Sequence, residues 1–503
     1  MEPTSKKQKT AGFNFPIPPS LLTPSQVQSR LGTFNFFDGI PDASSAERLF
    51  DCLDLFRGVD CFLDLVPMAS LEAMRMGHVS MGIKGCSDAI IMDTLMDSAP
   101  LFLTGNTDTV YCSIFLDLEC DGPTVVEVPP GCGPGTVNDA FFRFVIDTGS
   151  VGPDRGQGGK YLLLPPEYEG LDPPEGGAEA VVGGVKYFAA KSKSYVNWLI
   201  LRGFLVDGKP DLATKMFKEG LKVYPLSSAA SPPEMTFTSC SERFMNTVHS
   251  NDFDFYQEIH AVLSKEPIGL IDPELRGKAA SIGIQKGKPF EPSDKLRKTL
   301  VEAVAVANGM ARAISFMPRD EEAWIYGREN NWYTPFVGGD YRWLRNKGAG
   351  GRNQDARLLF FYLATVNTPA IVLKMVGKGS QYAVVAADAM GAPLDGAATY
   401  SLTLPKDVPA KDFWSFVIYD PQTRSQLQTG QPFPSKNSVK NKEMQYNPDG
   451  SITLHFSPQA PAGKQSNWIQ TVPGKAWFAL LRLYGPLDAW FDKTWRPGQI
   501  IQH

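Results

Sequence analysis

The amino-acid sequence predicts a mainly β protein with α segments, organised as two β modules joined by a helical region. Three observations carry this expectation. Short apolar runs bounded by glycine and proline fill residues 99–189 and resume from residue 381 to the end. Between them apolar residues return at the 3.6-residue spacing of helices. The 46 glycines and 40 prolines supply turn formers in the number that many short strands need. At 503 residues one hydrophobic core does not suffice, so the chain divides. The divisions read here are a leader over 1–43, N-terminal helices plus a first β module over 44–194, a helical connection over 195–367, and a second β module over 368–503.

In chain order, Leu49, Cys52, Leu53 and Phe56, then Phe62 and Leu65, predict a helix, and Leu71 and Met74 a second one beyond Pro67. Ser44-Ser-Ala-Glu47 reads as a capping box that opens the first. Strands are predicted over 110–118, 124–128, 141–146, 161–164 and 180–189. Helical spacing returns over 198–204, 212–223, 244–263 and 295–314. The glycine- and aromatic-rich stretch 330–353 wraps this helical layer onto the second β module. Strands are again predicted over 382–387, 398–404, 413–419, 451–456 and 475–484, with turns at Asp388-Ala-Met-Gly391 and Asn447-Pro-Asp-Gly450. This second module reads as a sandwich or jelly roll.

A net charge of −5 gives no electrostatic footprint for nucleic acid. No apolar run of about 18 residues is present to span a membrane. The seven cysteines form no Cys-x-x-Cys pair, which fits reduced thiols in a cytoplasmic setting. Lys6, Lys7 and Lys9 form a basic cluster with no apolar core after it, read as a solvated tail rather than a nuclear address or a secretory signal. The sequence sets no oligomeric state.

The motifs narrow the chemistry mainly by exclusion. Gly131-Cys-Gly-Pro-Gly135 and Gly156-Gln-Gly-Gly-Lys160 lead into strands, whereas a phosphate cradle needs a helix N-terminus after the loop; Gly348-Ala-Gly-Gly351 has no strand before it. Five histidines without His-x-x-x-His spacing give no metal centre, and no cofactor signature is present. Asp388 to Asp395 gathers oxygen ligands on one loop and reads as a hairpin turn, with calcium as the alternative. No Gly-x-Ser-x-Gly elbow occurs. His455 alternates with Ile452, Leu454 and Phe456 on a strand and points away from their buried face.

The segment Thr104-Gly-Asn-Thr-Asp-Thr-Val-Tyr111 is the most unusual, a polar cluster set directly before an apolar strand. Its plain reading is a loop fixed by Asn and Asp side chains on the backbone. Its functional reading makes Asp108 an acid or base, with Asn106 and Tyr111 bonding substrate.

These residues also carry a resemblance. Gly105-Asn-Thr-Asp-Thr-Val-Tyr111, Gly122-Pro-Thr-Val-Val-Glu-Val-Pro129 and Gly158-Gly-Lys-Tyr-Leu-Leu-Leu-Pro165 resemble domain of unknown function 1254. Asp388 and Gly391, Leu394-Asp-Gly396, Tyr400, Phe413-Trp-Ser415, Tyr419-Asp420, Asp449-Gly-Ser451, Asn467-Trp468, Leu481-Arg-Leu-Tyr484 and Thr494-Trp495 with Pro497 resemble domain of unknown function 1214. The resemblance implies two β-sandwich modules, the second jelly-roll-like, joined by helices, and it implies no reaction. The run Ile469-Gln-Thr-Val472 stands where that family usually has a proline-containing one.

Two functions are expected from this reading. The first is a hydrolase or lyase acting on a small or glycan-like substrate in a groove at the β modules. Asp108 and Asp388 are its acid and base; Asn106, Tyr111, Trp414, Asn467, Trp468, Arg482 and Tyr484 are its substrate-binding residues, with Arg482 suited to clamp a carboxylate. The second is a non-catalytic scaffold that binds carbohydrate or protein.

Overall fold

In a computed structural model of the protein, residues 17–503 are described; the basic cluster at Lys6, Lys7 and Lys9 lies outside them. A small antiparallel sheet of β1 (Gln26–Ser29), β2 (Gly32–Phe37) and β3 (Ile40–Pro41) leads into α1 (Ala43–Ser80). The first module continues with β4 (Asp88–Ile91), β5 (Thr109–Asp117), α2 (Leu118–Asp121), β6 (Thr124–Val128), β7 (Pro134–Asp139), β8 (Phe144–Gly149), β9 (Gly159–Leu164), β10 (Ala178–Val182), β11 (Val185–Lys191), β12 (Val196–Phe204), α3 (Asp211–Gly220), β13 (Lys222–Pro225) and β14 (Thr236–Ser239). A helical layer comprises α4 (Asp254–Lys265), α5 (Pro273–Ser281), α6 (Asp294–Phe316), α7 (Gln354–Leu363) and α8 (Pro369–Val372). The second module contains β15 (Ser380–Val385), β16 (Leu394–Asp395), β17 (Tyr400–Leu404), β18 (Ala410–Tyr419), β19 (Ser435–Asn437), β20 (Ile452–Ser457), β21 (Trp468–Gln470), β22 (Ala476–Pro486), α9 (Asp488–Phe491) and β23 (Ile501–Gln502).

Each module is a pair of sheets around its own core. In the first, a sheet ordered β14-β4-β5-β12-β7-β8 packs on one ordered β10-β11-β9-β6-β13. Val110, Cys112, Ile114 and Leu199 fill the space between them with Val126 and Leu163. In the second, β15-β22-β18-β19 packs on β21-β20-β17-β23 through Phe416, Leu454, Phe456 and Leu481. The opposite faces of β5, β12, β15, β18 and β22 are also buried. Tyr111, Phe115, Trp198, Tyr382, Val417, Tyr419 and Leu480 belong to one central core that includes the C-terminal half of α1, α6 and α7. The two inner sheets thus share one filling.

Burial on both faces explains the largest difference from the sequence reading. Residues 198–204, expected as helix, lie within strand β12, paired antiparallel to both β5 and β7. A strand covered on both sides shows a continuous apolar run rather than alternation, and such a run does not distinguish strand from helix. The chain therefore stays in the first module through β12 and β13.

Helix α1 is the second difference. It runs unbroken through Pro67, and its cap is Asp42, whose carboxylate accepts from the Ser45 amide at 2.7 Å, not the Ser44 box. Proline removes one helical donor and frees a carbonyl in the preceding turn. Here Arg357 donates to the neighbouring Asp64 carbonyl and carboxylate, both at 3.1 Å, and the segment around Pro67 is buried within the continuous helix. All seven cysteines are free thiols, and no helix among the described residues is long and apolar enough to cross a membrane.

Where α1 crosses α6, a β-carbon built on Gly58 would lie 2.7 Å from Ala303 Cβ and 3.0 Å from Leu300 Cδ2. Helix propensity alone makes Gly58→Ala stabilising by about 1 kcal/mol. The close approach makes it overpacked, so Gly58→Ala is expected to lower stability by about 1–3 kcal/mol in urea unfolding. A rise in midpoint would show that the crossing is loose.

Candidate active site at the seam between the modules

The seam is built from matched cross-strand pairs. On the first module Tyr111 of β5 stands opposite Arg202 of β12; on the second Tyr382 of β15 stands opposite Arg482 of β22. Each guanidinium lies over its partner ring, at 5.5 Å for Arg202 on Tyr111 and 5.0 Å for Arg482 on Tyr382. Both arginines are buried, and the groups that act most strongly on their charge are phenols rather than carboxylates. Burial alone works against the Arg482 cation, but Tyr419 and the other phenols around it keep its pKa above the ordinary value. Burial likewise raises a phenol, yet Arg202 and Arg482 outweigh it at Tyr382 and hold that hydroxyl below its usual range.

Residues 104–108 are stitched into this seam. Arg482 donates to the Thr104 carbonyl and, at 2.6 Å, to the Tyr419 hydroxyl, which donates to the Gly105 carbonyl at 2.8 Å. A side chain at Gly105 would run into Met96 Sδ, 2.3 Å from the added carbon. Asn106 accepts from the amides of Asp108 at 2.9 Å and Thr109 at 3.1 Å, and donates to the Tyr111 hydroxyl at 2.7 Å. Asp108 accepts from Asn437 at 3.0 Å and Thr107 at 3.2 Å, and from the Tyr484 hydroxyl at 3.3 Å. Lys440 donates to the Thr107 carbonyl at 3.2 Å; burial lowers its pKa and Asp108 opposes the shift.

Beside this layer lies a cavity of about 970 Å³, within the range of small-molecule sites. Its walls come from β7, β8 and β12 on one side and from residues 366–380 and Tyr484 on the other. Arg202 and Tyr484 form its seamward end. Asp147 of β8 faces Thr136, which faces Ile200 in turn, so one row of side chains crosses three strands. With strands about 4.8 Å apart and residues rising about 3.3 Å, the α-carbons of Asp147 and Arg202 stand roughly 12 Å apart. Asp147 is half-buried and accepts from Thr368 at 2.6 Å. Burial pushes its carboxyl up to about 6, against the lowering effect of the Thr368 and Thr136 hydroxyls.

The opposite wall is held by an amide pair. Asn138 donates to the Asn367 carbonyl at 2.7 Å and accepts from its amide at 3.0 Å. Asn367 also donates to the carbonyls of Phe142 at 3.1 Å and Tyr341 at 2.9 Å. The preceding Val366, which lines the cavity, has φ 70°, a conformation that a β-branched residue adopts only when its surroundings impose it.

Of the residues expected from sequence, Tyr484 lines the cavity, and Asp108, Asn106, Tyr111 and Arg482 lie in the buried layer beside it. Asp388 is elsewhere. Its carboxylate accepts from the amides of Met390 at 2.8 Å and Ala392 at 3.0 Å within its own turn. That turn lies beyond the far end of β15, whose length puts Val385 about 16 Å from the cavity-lining Ser380. Trp414 packs in the second module's core. Asn467 bonds the backbone of Gln445 and Thr453, and Trp468 donates to the Ser457 carbonyl at 3.0 Å. No three histidine, cysteine or carboxylate side chains among the described residues gather to hold a metal ion.

Sequence reading missed Asp147, Arg202 and Thr368. Only the two-residue register of Ile200 and Arg202 on one strand could have flagged the second, and the helical reading of 198–204 hid it. It also missed a buried network in which His78 bonds Ser113 Oγ at 2.7 Å and the Met74 carbonyl at 2.8 Å, while Trp198 donates to the same Ser113 oxygen at 2.7 Å. Burial lowers the His78 pKa to about 4, so this imidazole is neutral and satisfied within the core.

The comparisons agree with the two-module reading. Residues 88–225 match the family described as protein of unknown function DUF1254, and residues 379–488 match that described as protein of unknown function DUF1214. The fold is shared with the crystal structure of the VPA0106 protein from Vibrio parahaemolyticus, with a TM-score of 0.52 and 18% identity over 90% of this chain and all of that one. An uncharacterized protein from Burkholderia cenocepacia aligns over 91% of this chain and 97% of its own at 12% identity and a TM-score of 0.39. No curated protein matches the sequence.

Removing Asp108 takes an acceptor from Asn437, Thr107 and Tyr484 and the opposing charge from Lys440. Asp108→Ala is therefore expected to cost about 3–5 kcal/mol in urea unfolding. Asp388→Ala, which removes two turn bonds, is expected to cost only about 1 kcal/mol. Equal losses would refute the contrast between seam and turn. The chain thus carries domain of unknown function 1254 followed by domain of unknown function 1214.

Proposed function

We propose that the protein is a hydrolase or lyase acting on a small molecule held in the cavity between the modules. In this reading Asp147 transfers the proton, Arg202 holds the substrate's negative charge or stabilises the charge that develops, and Tyr484, oriented by Asp108, bonds the substrate. The observation that carries it is one cavity wall presenting both a carboxyl raised to about 6 and a buried guanidinium whose strongest charge partners are phenols. A group poised near the working pH is what general acid–base catalysis requires. Free thiols throughout support a reducing, cytoplasmic setting.

A non-catalytic binding protein is the second reading, and the largely internal hydrogen bonding of Asp108 and Tyr484 favours it. The two diverge at Asp147→Asn. An enzyme loses turnover by 10²-fold or more while ligand affinity holds; a binding protein has no turnover to lose.

A raised carboxyl also has a sign in stability. The folded state holds the Asp147 proton up to about pH 6, the unfolded chain only to about 3.8, so this stabilising contribution is lost as pH rises between them. Above pH 6 the ionised group destabilises the fold relative to a neutral one. Asp147→Asn is therefore expected to be more stable than the parent by about 1–3 kcal/mol at pH 8, and much less so at pH 4, in urea unfolding. An equal difference at both pH values would contradict the assigned role.

A further inference from the structure

The cavity is divided by chemistry. Its seamward end presents Arg202, buried over the Tyr111 ring, with Tyr484 at the wall. Ile200, Phe204, Val366, Ile371 and Met375 form an apolar stretch of the wall, while Thr136 and Thr368 gather their hydroxyls at Asp147. Arg155, Lys378 and Asp412 stand exposed at the rim.

This division selects among ligands. A sugar carries hydroxyls on every side, and the apolar stretch would leave those that face it unpaired. A phosphate ester brings a second negative charge, for which the cavity has no second buried cation. One guanidinium matches one carboxylate in charge and in fork geometry. We infer, resting on the reading of this cavity as the substrate site, that the substrate is an amphipathic monocarboxylic acid whose carboxylate pairs with Arg202 and whose alkyl or aryl body lies along Ile200, Val366 and Ile371.

The direct test is calorimetric titration of the full chain with straight-chain saturated acids of increasing length, phenylalkanoic acids, the matching primary alcohols, glucuronate and inorganic phosphate. Affinity is expected to rise about fourfold per added methylene, the equivalent of ~0.8 kcal/mol, until the cavity is full. The alcohol of equal length is expected to bind at least 30-fold more weakly, and Arg202→Gln to bring the acid down to the level of the alcohol. Whether the straight-chain or the phenyl series binds more tightly identifies the body. A flat dependence on length, or glucuronate or phosphate binding as tightly as the best chain acid, overturns the assignment. Because Arg202→Gln disturbs a buried layer, Arg202→Lys is measured beside it and is expected to keep part of the preference for acid over alcohol.

Two cavity-filling variants separate this inference from the reading beneath it. Leu373→Trp at the exposed rim and Ala370→Trp in the wall are expected to abolish acid binding. If they abolish binding of some other ligand class while no acid binds, the cavity remains the site and only the substrate class fails. If acids bind and neither variant alters it, the acid lies elsewhere and the site reading fails with it.

Discussion

The structure depends on burying two guanidiniums between two sheets. Removing an arginine from water is costly, and a carboxylate partner is the usual remedy. Here the seam uses phenols and a backbone carbonyl instead. Arg482 is satisfied by Tyr419 and Thr104, stacked on Tyr382 across the strand pair. Arg202 lies over Tyr111, and Tyr382 and Tyr484 act on its charge from the other module. Because the bond from Arg482 to Thr104 crosses between the modules, and Tyr382 and Tyr484 act on Arg202 from across the seam, the two arginines tie the sheets together. The modules are therefore held in one relative position by polar geometry as well as by the apolar core around it.

Local strain results from that fixed position. Thr104 has φ 40° and Val366 φ 70°, both unfavourable for β-branched residues. Each sits in a segment tied by hydrogen bonds to another element. Thr104 accepts from Arg482, donates through its hydroxyl to Leu363 and through its amide to Arg424; Val366 precedes Asn367, locked to Asn138. Strain of about 1–3 kcal/mol per residue persists only where surroundings over-determine the backbone. Thr104 and Val366 are the β-branched residues with positive φ among the described residues; Thr104 borders the seam and Val366 the cavity itself.

The architecture was legible in the sequence because turn residues mark the strands of both modules and helical spacing marks α4, α6 and much of α1. The departures have two causes. Val196–Phe204 carries apolar residues on both faces, so its period vanished into a continuous run, and with it the signal that Arg202 points to a seam. Asn106 and Asp108 were read both as loop-fixing and as functional, and the structure gives Asn106 three local bonds to the Asp108 and Thr109 backbone and hydroxyl. Asp147 carried no sequence signal. It stands after an apolar strand stretch like many strand-end aspartates, and what sets it apart, Thr368 from 221 residues away, exists only in the fold.

That last contrast bears on where chemistry resides in this protein. Asp108 and Asp388 stand in the more recognisable motifs, yet the Asp388 carboxylate bonds within its own turn, and Asp108 spends its acceptor capacity on Asn437, Thr107 and Tyr484. A carboxylate so engaged holds structure, because its oxygens are already committed to donors that fix the chain. Asp147 has one strong side-chain partner and a face toward the cavity, so protonation and deprotonation disturb little else. Its elevated pKa is destabilising to the folded chain at neutral pH, and a position that weakens the fold while facing a cavity points to function more directly than a motif that strengthens it.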